Sequence, residues 1–273
     1  SFQLELLKDI EFDLGLLLNI EEDHIDRHLN FENYKKIKYS VLENSTFNIS
    51  FDSKNHFKKD FRNFKDINLP KDLIDSDIFK KWPSHDKENL KASMAVLDCY
   101  FENFTNLSFR DFNSTNKLEA AFENFIKPSH RFEFIGNIKG VNFINDSKAT
   151  NIDAMLKAIK AANEIKKTKD IYLICGGDLK NQNIASVKLT EVQKIKNAII
   201  FGKDKELIFK SINKFTTCNL VSDLKEAVTH AFKISSAGDY IMLSPACSSL
   251  DMYKDYKERG NEFKKIVSAL ADD

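Results

Sequence analysis

Short apolar segments alternate with longer amphipathic segments through the second half of the chain, and this alternation limits the fold more than any other feature. Runs of mostly apolar residues predict four strands, at 141–144, 171–175, 198–201 and 240–243. Apolar residues at helical spacing predict helices between and after them, including 151–162, 223–235 and 249–270. Strands that alternate with helices form parallel sheets covered on both faces, so the pattern predicts an α/β fold with a mainly parallel sheet.

A break in the pattern separates this region from the first part of the chain. Pro128 follows a helical segment, and proline lacks the amide N–H that a helix interior needs. We therefore predict a domain boundary at this residue, with one domain over 1–127 and another over 128–273. The second domain would open with a strand pair at 132–135 and 141–144.

The first part of the chain contains a less regular mixture of strands and helices. An apolar run predicts a buried strand at 14–20. Asn30 fits a helix N-cap, because the apolar residues that follow it as far as Leu42 have helical spacing. The remaining predicted elements are a strand at 46–51 and helices at 86–104 and 116–126, while 52–84 carries no clear pattern.

Composition narrows the functional classes. Lysine and arginine total 41, as do aspartate and glutamate, so the formal net charge is zero. Nucleic-acid-binding and membrane-surface proteins depend on excess positive charge, and the balance argues against both. The four cysteines are widely separated, which predicts buried, reduced thiols. No apolar run approaches the roughly 18 residues of a membrane span and no signal peptide is visible, so we expect a cytoplasmic protein.

Polar side chains follow four of the predicted strands directly. The four segments read EDHID at 22–26, NDSKAT at 145–150, GGDLK at 176–180 and SPACSS at 244–249. Each segment alone fits a tight turn or a helix N-cap. Together they follow the carboxyl ends of strands, where parallel sheets bind ligands. Lysines, hydroxyls and helix N-termini favour an anionic ligand, and an acid beside a histidine favours a divalent cation, so the set predicts a nucleotide-dependent ligase or transferase.

Eight sequence blocks, in order along the chain, resemble the Mur ligase family. They are SFQLE at 1–5, LNIEEDHIDRH at 18–28, FENYKKIK at 31–38, HRFE at 130–133, NDSKATN at 145–151, GGDLK at 176–180, LSPACSSLD at 243–251 and RGNEF at 259–263. The resemblance covers nearly the whole chain except about 45–84. It implies an incomplete P-loop-type central ATPase domain over 1–127, followed by a Rossmann-like amino-acid-binding domain over 128–273.

The family's reaction, carried over as an implication, joins a carboxylate to an amine with the help of ATP. ATP phosphorylates the carboxylate to an acyl phosphate, which the amine of an incoming amino acid then attacks. Within the family the blocks are most similar to those of the members that add D-glutamate. The resemblance therefore implies UDP-N-acetylmuramoyl-L-alanine and D-glutamate as substrates in peptidoglycan synthesis, with no nucleic-acid partner and no membrane insertion.

The resemblance also implies a Mg²⁺ site and a set of catalytic residues. Glu5 and His24 would bind the metal together with Lys38, which in the family is carbamylated and so becomes an anionic ligand. Tyr34 lies four residues before Lys38, so the two side chains share a helix face. The catalytic residues would be Lys38, His24 and Lys148.

Two further sets of residues are implied for ATP and for D-glutamate. ATP would contact Asn89 at the adenine, Arg131 at phosphate and Asp146 at the ribose. D-glutamate would contact Thr150, Lys180, Ser249, Leu250 and Tyr256. Asp86 departs from the family's His-Asn-x-x-Asn pattern, in which Asn89 is the last residue. Because Asp146, Lys148 and Thr150 alternate, we predict an extended segment with one functional side.

The Gly-rich loop that holds the ATP phosphates in this family is absent from the sequence. Gly202-Lys203 is the single Gly-Lys pair, and Asp204 follows it where that loop requires Ser or Thr. The family places the loop, and the domain for the UDP end of the substrate, before the SFQLE block. We therefore expect this chain to be the downstream part of a ligase and to have no ligase activity alone.

Alternative functions remain open from the sequence. Another Mur ligase, or the related folylpolyglutamate synthase, would use the same chemistry on a different substrate. A non-catalytic binding module that kept the fold is a second alternative, although the set Glu5, His24, Lys38, Lys148 and Lys180 argues against it. A protein-interaction scaffold gains no support from the neutral charge or from any visible repeat.

Overall fold

The chain divides into two units, Ser1–Ile126 and Lys127–Asp273, one residue before the predicted boundary. The computed structural model describes residues 1–7, 10–21, 23–50, 62–63, 68–69, 71–76, 79–80, 82–106, 120–121, 124–165, 170–182, 184 and 190–272. The helix predicted at 116–126 lies largely outside the described residues.

The first unit contains a three-stranded parallel sheet. Its strands, in order across the sheet, are β1 (Phe12–Leu17), β2 (Ser45–Ser50) and β3 (Arg62–Asn63). The predicted strand at 46–51 is confirmed as β2, whereas β1 ends three residues before the predicted end. Leu18 is 42% exposed, so the strand ends where the burial of its side chains ends.

Four α-helices accompany this sheet in the part of the unit that the structure describes. They are α1 (Ile25–His28), α2 (Phe31–Glu43), α3 (Lys71–Asp75) and α4 (Ser84–Phe104). The predicted cap of α2 is confirmed, because the side chain of Asn30 accepts the N–H of Asn33 at 2.8 Å. Ala92, Ala95 and Cys99 of α4 pack against Ile49 of β2 and form the core under the sheet.

The second unit contains a six-stranded sheet. Its strands are β4 (Glu133–Ile138), β5 (Val141–Asn145), β6 (Ile171–Gly176), β7 (Asn197–Phe201), β8 (Thr217–Leu220) and β9 (Tyr240–Leu243). The order across the sheet is β4-β5-β9-β6-β7-β8, and every neighbouring pair is parallel except the hairpin of β4 and β5. The predicted α/β fold with a mainly parallel sheet is confirmed. Among these six strands, only β8 is absent from the sequence predictions, because this edge strand is short and half polar.

Helices cover both faces of this sheet. They are α5 (Ile152–Ile165), α6 (Lys205–Ile212), α7 (Leu224–Ile234) and α8 (Tyr256–Asp272), with a 3-10 helix at Thr190–Lys194. One buried apolar cluster joins the sheet to α5 and α6, and a second joins it to α7 and α8. Every residue of β6 and β7 is buried as a result, which explains why both are mostly apolar, although β7 begins with the polar Asn197.

The last helix begins seven residues later than the sequence predicts. The expected start at 249 is wrong, since α8 starts at Tyr256. Residues 249–255 form turns, in which the carbonyl of Ser249 accepts the N–H of Tyr253 at 2.8 Å. The Asp255 carboxylate accepts the N–H of Glu258 at 2.8 Å, so Asp255 caps the helix and sets its start.

The four cysteines are free thiols, as predicted. Cys99, Cys175 and Cys247 are buried, and Cys218 is half-buried. Burial raises the pKa of the Cys175 thiol, which keeps it protonated. Among the described helices, none is both long and apolar enough to cross a membrane.

Candidate active site

Four loops meet at the carboxyl edge of the six-stranded sheet. Strands β5, β9, β6 and β7 are adjacent and parallel, so the residues that follow them lie side by side. The register places Asn145 beside Leu243 and Gly176 beside Phe201. Beyond the strands, the Asp146 N–H donates to the Leu243 carbonyl at 2.8 Å. We call these loops, at 146–150, 177–181, 202–204 and 244–250, the edge loops.

Asp146 is buried at the base of the edge loops, and both its carboxylate oxygens are bonded within the protein. Oδ1 accepts the N–H of Phe132 at 3.0 Å, and Oδ2 accepts the hydroxyl of Ser244 at 3.0 Å. Burial raises the pKa of Asp146 to about 7, although the two hydrogen bonds act in the opposite direction. Asp146 therefore links two loops, and its contact with a ribose stays a prediction.

Lys148, expected to be catalytic, and Tyr256, expected at D-glutamate, are in direct contact. Lys148 Nζ lies 4.2 Å from the centroid of the Tyr256 ring, a cation–π geometry. The Ser147 hydroxyl donates to the Tyr256 carbonyl at 2.8 Å and holds the start of α8 against the loop. An expected catalytic residue and an expected glutamate-binding residue are thus adjacent.

The expectation of an extended segment from Asp146 to Thr150 is wrong. The N–H of Thr150 donates to the carbonyl of Lys148 at 2.9 Å, and the segment folds into turns. The side chain of Asn145 accepts the N–H of Ser147 at 3.2 Å, which favours a turn over a strand. Asp146, Lys148 and Thr150 therefore do not line one side of an extended segment. Asp146 is buried, whereas Lys148 and Thr150 are half-buried.

The glycine-containing loop after β6 is held tightly against the loop after β9. At Gly177 φ is +130°, and a Cβ would lie 2.3 Å from the Ser248 carbonyl, so only glycine fits. Asp178 and Ser248 exchange two main-chain hydrogen bonds of 3.1 and 2.8 Å. Lys180 follows with φ of +51°, and its N–H donates to Asp178 Oδ1 at 2.8 Å. The bridge therefore places Lys180 close to the loop that carries Ser249.

Ser249 and Leu250 are neighbours in different environments. Ser249 is buried, and its carbonyl accepts the N–H of Tyr253. Leu250 is 70% exposed. Ser249 stabilises the turn through its carbonyl, the Leu250 side chain is exposed, and the contact of either residue with D-glutamate stays a prediction.

Arg259, for which the sequence predicted no role, joins two edge loops. Its side chain is fully buried and donates to the Ser147 hydroxyl at 3.1 Å, the Ser147 carbonyl at 2.9 Å and the Cys247 carbonyl at 3.1 Å. Such a planar set of donors distinguishes arginine from lysine. Burial lowers the pKa of Arg259 to about 10, which leaves it charged at neutral pH. One signal was present in the sequence, since arginine is rare among the 41 basic residues.

The turn before β4 contains His130 and Arg131. His130 is buried, and its Nδ1 lies 3.0 Å from the side-chain amide of Asn145, which also donates to the Gly260 carbonyl at 3.2 Å. A Cβ on Gly260 would lie 2.3 Å from His130 Nδ1, so glycine makes room for the ring. Arg131 is exposed and near enough to Asp146 to lower its pKa electrostatically. Two residues expected at ATP therefore lie together.

In the first unit, Glu5 lies on a 3-10 helix (Leu4–Leu6) with its carboxylate between two basic side chains. Oε2 accepts hydrogen bonds from Arg27 Nη2 at 2.6 Å and Nε at 3.2 Å, and Oε1 lies 3.1 Å from His28 Nδ1. The hydrogen bond from Arg27 lowers the pKa of Glu5. His28 is buried and was missed as a site residue, although it belongs to the block at 18–28.

His24 and Lys38 lie in the same neighbourhood and are connected through aromatic rings. The His24 ring is 4.8 Å from the Phe2 ring, which is 5.9 Å from the His28 ring. Lys38 Nζ lies 5.5 Å from the centroid of Tyr34, as the shared helix face predicts, and Tyr34 in turn contacts His28. Burial raises the pKa of Tyr34 to about 12, so its phenol stays protonated.

The donor chemistry of this neighbourhood fits a divalent cation. Carboxylate oxygen and imidazole nitrogen are both common ligands of divalent metals. Within the described ranges, however, no group of three or more His, Cys, Asp or Glu side chains is arranged to hold a metal ion. A cation bound by Glu5 would need to replace Arg27, whose side chain is 52% exposed.

Asn89 lies on the exposed side of α4, within its first two turns. Its carbonyl accepts the hydroxyl of Ser93 at 2.9 Å. Asp86, which departs from the family pattern, has its Oδ1 3.4 Å from His85 Nε2. A carboxylate in the first turn is also favoured by the helix dipole, so Asp86 has a local structural role and the adenine contact of Asn89 stays a prediction.

Two family profiles match the chain, one in each unit. The profile described as the Mur ligase middle domain matches residues 1–69. The profile described as Mur ligase, glutamate ligase domain, matches residues 130–247. The second match includes the strands β4 to β9 and all four edge loops except the last three residues.

Curated relatives of this chain are named UDP-N-acetylmuramoylalanine–D-glutamate ligase. The protein from Alkaliphilus metalliredigens is 33% identical over 301 residues, and the protein from Francisella philomiragia is 30% identical over 286 residues. Both alignments include 99% of this chain and 63% of the relative. The chain therefore spans less than two thirds of the length of these relatives.

Solved structures share the fold at much lower identity. MurF ligase from Thermotoga maritima, in complex with ADP, matches with a TM-score of 0.63 at 14% identity over 97% of this chain and 65% of that one. The bifunctional folylpolyglutamate synthase/dihydrofolate synthase from Yersinia pestis matches with a TM-score of 0.59 at 13% identity, over 95% of this chain and 62% of that one. Likeness at this level concerns the fold alone.

Proposed function

We propose that this chain, which belongs to the Mur ligase family, carries the amino-acid-binding unit and part of the ATP-binding unit of a ligase that adds D-glutamate to UDP-N-acetylmuramoyl-L-alanine. The observation that carries the proposal is that two pairs of expected residues lie at one edge of the sheet: Lys148 contacts Tyr256 at the start of α8, and Lys180 follows the bridge between Asp178 and Ser248, directly before Ser249. Lysines on two loops, beside hydroxyls and an aromatic ring, suit an amino acid with two carboxylates. The name of the curated relatives supports D-glutamate as that amino acid.

The proposed reaction has two steps. The terminal phosphoryl group of ATP passes to the carboxylate of UDP-N-acetylmuramoyl-L-alanine, which gives an acyl phosphate and ADP. The amine of D-glutamate then attacks the acyl carbon, so that an amide bond forms, phosphate leaves with the electrons of the broken C–O bond and the amine loses its proton. Orientation of the amine against the acyl phosphate is the main contribution that the edge loops make.

Different residues of the edge loops would bind different parts of the D-glutamate molecule. Lys180, Thr150 and Ser249 would bind its carboxylates, and the exposed Leu250 would cover its aliphatic part. Lys148 would contact the phosphoryl oxygens as a catalytic residue, with the Tyr256 ring holding its ammonium group in place.

ATP would contact Asn89 at the adenine, Arg131 at phosphate and Asp146 at the ribose. The first unit would supply the Mg²⁺ ligands. Glu5, His24 and a carbamylated Lys38 would hold Mg²⁺, which when bound neutralises phosphate charge. His24 and Lys38 would thus be the catalytic residues of this unit.

The proposed function is tested by measuring ATP turnover by the full-length protein, encoded by the complete natural reading frame. We expect phosphate release that requires both UDP-N-acetylmuramoyl-L-alanine and D-glutamate. With L-glutamate, L-alanine or meso-diaminopimelate in place of D-glutamate, the rate should fall by about a hundredfold or more, because the amine and the carboxylates could not reach all of their partners at once. A preference for one of those amino acids would instead indicate another Mur ligase or folylpolyglutamate synthase, and no ligation with any of them would indicate a binding module.

The 273-residue chain alone should show no D-glutamate-dependent ATP turnover, because its sequence contains no Gly-Lys-Thr or Gly-Lys-Ser loop for the phosphates. The matched measurement uses the same buffer and substrates as the assay of the complete reading frame. Turnover by the isolated chain would contradict the assignment of phosphate binding to a segment outside it.

A further inference from the structure

The loop after β7 contains the single Gly-Lys pair of the sequence, Gly202-Lys203. This pair does not belong to a phosphate-binding loop, and the proposed reaction gives it no role. Strands β6 and β7 are adjacent and parallel, so this loop lies beside the one that carries Asp178 and Lys180. At Gly202 a Cβ would lie 2.6 Å from the Gly177 nitrogen, so the two loops are packed against each other.

Lys203 and Asp204 bind this neighbouring loop through both side chain and main chain. Lys203 Nζ donates to Asp178 Oδ2 at 2.8 Å. Asp204 Oδ2 accepts the N–H of Leu179 at 2.7 Å, and the Asp204 N–H donates to the Gly177 carbonyl at 3.0 Å. The loop at 202–204 therefore supports the whole turn that precedes Lys180.

Asp178 connects Lys203 to the expected D-glutamate contacts. Its Oδ1 accepts the N–H of Lys180, while its Oδ2 accepts Lys203 Nζ. Its main chain is paired with Ser248, directly before Ser249. A single carboxylate thus shares its two oxygens between Lys203 and the left-handed turn of Lys180.

Charge gives Lys203 a second effect on an anionic ligand. The edge loops contain three lysines and three aspartates, Lys148, Lys180, Lys203, Asp146, Asp178 and Asp204. The hydrogen bond from Lys203 is the main reason that the pKa of Asp178 is lowered, so this carboxylate is ionised. Without Lys203, an unbalanced negative charge would lie beside the lysine that is to bind a dicarboxylate.

We propose that Lys203 is a positioning residue for the binding of D-glutamate. Lys203 acts through Asp178: it neutralises the Asp178 carboxylate and so fixes the turn that carries Lys180. The inference rests on the proposed function. It concerns the binding of the amino acid and leaves the phosphoryl transfer step unchanged.

Steady-state kinetics of the complete protein test this role through the split between KM and kcat. Lys203→Met should raise the KM for D-glutamate about five- to tenfold, leave kcat within about twofold and leave the KM for ATP unchanged. Lys203→Arg keeps the charge and should restore the KM to within about twofold of wild type.

A matched control lies at the other end of the same two strands. Lys196 and Asp170 precede β7 and β6, and their charged atoms are 3.3 Å apart, with both side chains exposed. Lys196→Met removes the same charge from the same unit and should leave the KM for D-glutamate unchanged. An equal rise in KM in Lys196→Met and Lys203→Met would show a general charge effect and overturn the inference.

The Asp178→Asn background tests whether the effect passes through Asp178. In that background Lys203→Met should change the KM for D-glutamate by less than about twofold, because no carboxylate is left to neutralise. Independent, multiplying effects of the two substitutions would overturn the inference. If the wild type is active and Lys203→Met has an unchanged KM for D-glutamate, the role of Lys203 is overturned and the proposed function stands. If the wild type shows no D-glutamate turnover, the proposed function is overturned, and the role of Lys203 with it.

Discussion

The edge loops of the second unit and the neighbourhood of Glu5 in the first unit are both expected ligand sites, but they are held in place by different kinds of contact. Buried groups hold the edge loops: Asp146 and Arg259 bond to main chain and hydroxyls beneath them. Glu5 is held on one side by Arg27, whose side chain is 52% exposed. The difference indicates that buried contacts hold the edge loops, whereas Glu5 is held between the buried His28 and a surface side chain.

The largest expected effect is that of Arg259→Met on the stability of the second unit. It should lower the free energy of unfolding by about 3–5 kcal/mol, because the carbonyls of Ser147 and Cys247 would stay buried without their donor. Urea unfolding followed by far-UV circular dichroism measures the loss. Trp82, the single tryptophan, lies in the first unit, so the midpoint of its fluorescence transition should not move if the two units unfold separately.

Arg131→Met is the matched control for this prediction, since Arg131 is an exposed arginine of the same unit. It should leave the circular dichroism transition within experimental error. Similar losses in the two variants would contradict the view that buried contacts hold the edge loops.

A smaller effect, dependent on pH, is expected at Asp146. Burial raises the folded-state pKa of Asp146 to about 7 from 3.8, so between these values the folded state binds a proton that the unfolded state does not. The contribution of Asp146 to stability is therefore present at low pH and is lost as pH rises through about 7. Between pH 5 and pH 8 the wild type should lose about 2–3 kcal/mol relative to Asp146→Asn.

The measurement is the difference in unfolding free energy between wild type and Asp146→Asn at several pH values, which cancels groups common to both proteins. A difference that does not vary between pH 5 and pH 8 would mean that Asp146 titrates as an exposed carboxyl. The buried base of the edge loops would then be accessible to water, which would weaken the contrast with Glu5.

Two helix caps of the same geometry, one amide and one carboxylate, allow a comparison of the units. Asn30 caps α2 in the first unit and Asp223 caps α7 in the second, each accepting a main-chain N–H at 2.8 Å. Substitution of either by alanine should cost about 1 kcal/mol. Asn30→Ala should shift the Trp82 fluorescence transition and Asp223→Ala should not, if the two units unfold separately; equal shifts would show that they unfold as one.

Arg27→Met should have the smallest effect on stability. It should, however, have a measurable effect on metal binding. The Arg27–Glu5 pair is at the surface, so the unfolding transition should not change within error. Binding of Mn²⁺ to the 273-residue chain should become several-fold tighter, because the cation no longer competes with a guanidinium for Glu5. Arg27→Lys keeps the charge and should retain the weaker binding; equal affinities in all three proteins would mean that Glu5 is not a ligand.

Much of the local structure was predictable because its causes lie within a few residues. Alternating apolar and amphipathic segments predicted β5, β6, β7 and β9, and Asn30 was predicted as a cap. The start of α8 was predicted wrongly, because Asp255 caps the helix while the apolar pattern begins earlier. The edge strand β8 was missed, since a short strand with one exposed edge has little apolar signal.

The candidate site was predictable in part, and the residues that the sequence did not predict all make contacts with residues distant in sequence. Lys148 and Tyr256 were assigned from the family resemblance and do meet. Arg259 and His28 were left out because their roles consist of bonds to groups distant in sequence. Lys203 was noted only for failing a motif, and its bond to Asp178 spans 25 residues.

The sequence by itself determined which segments are strands and helices and which strand ends carry polar residues, because periodicity and turn chemistry act over short distances. Only the tertiary structure decided which of those ends are neighbours. It places β9 between β5 and β6, so that the loop at 244–250 lies between loops that precede it by about 70 and 100 residues. Strand order follows from packing both faces of the sheet at once, a condition that no local pattern contains.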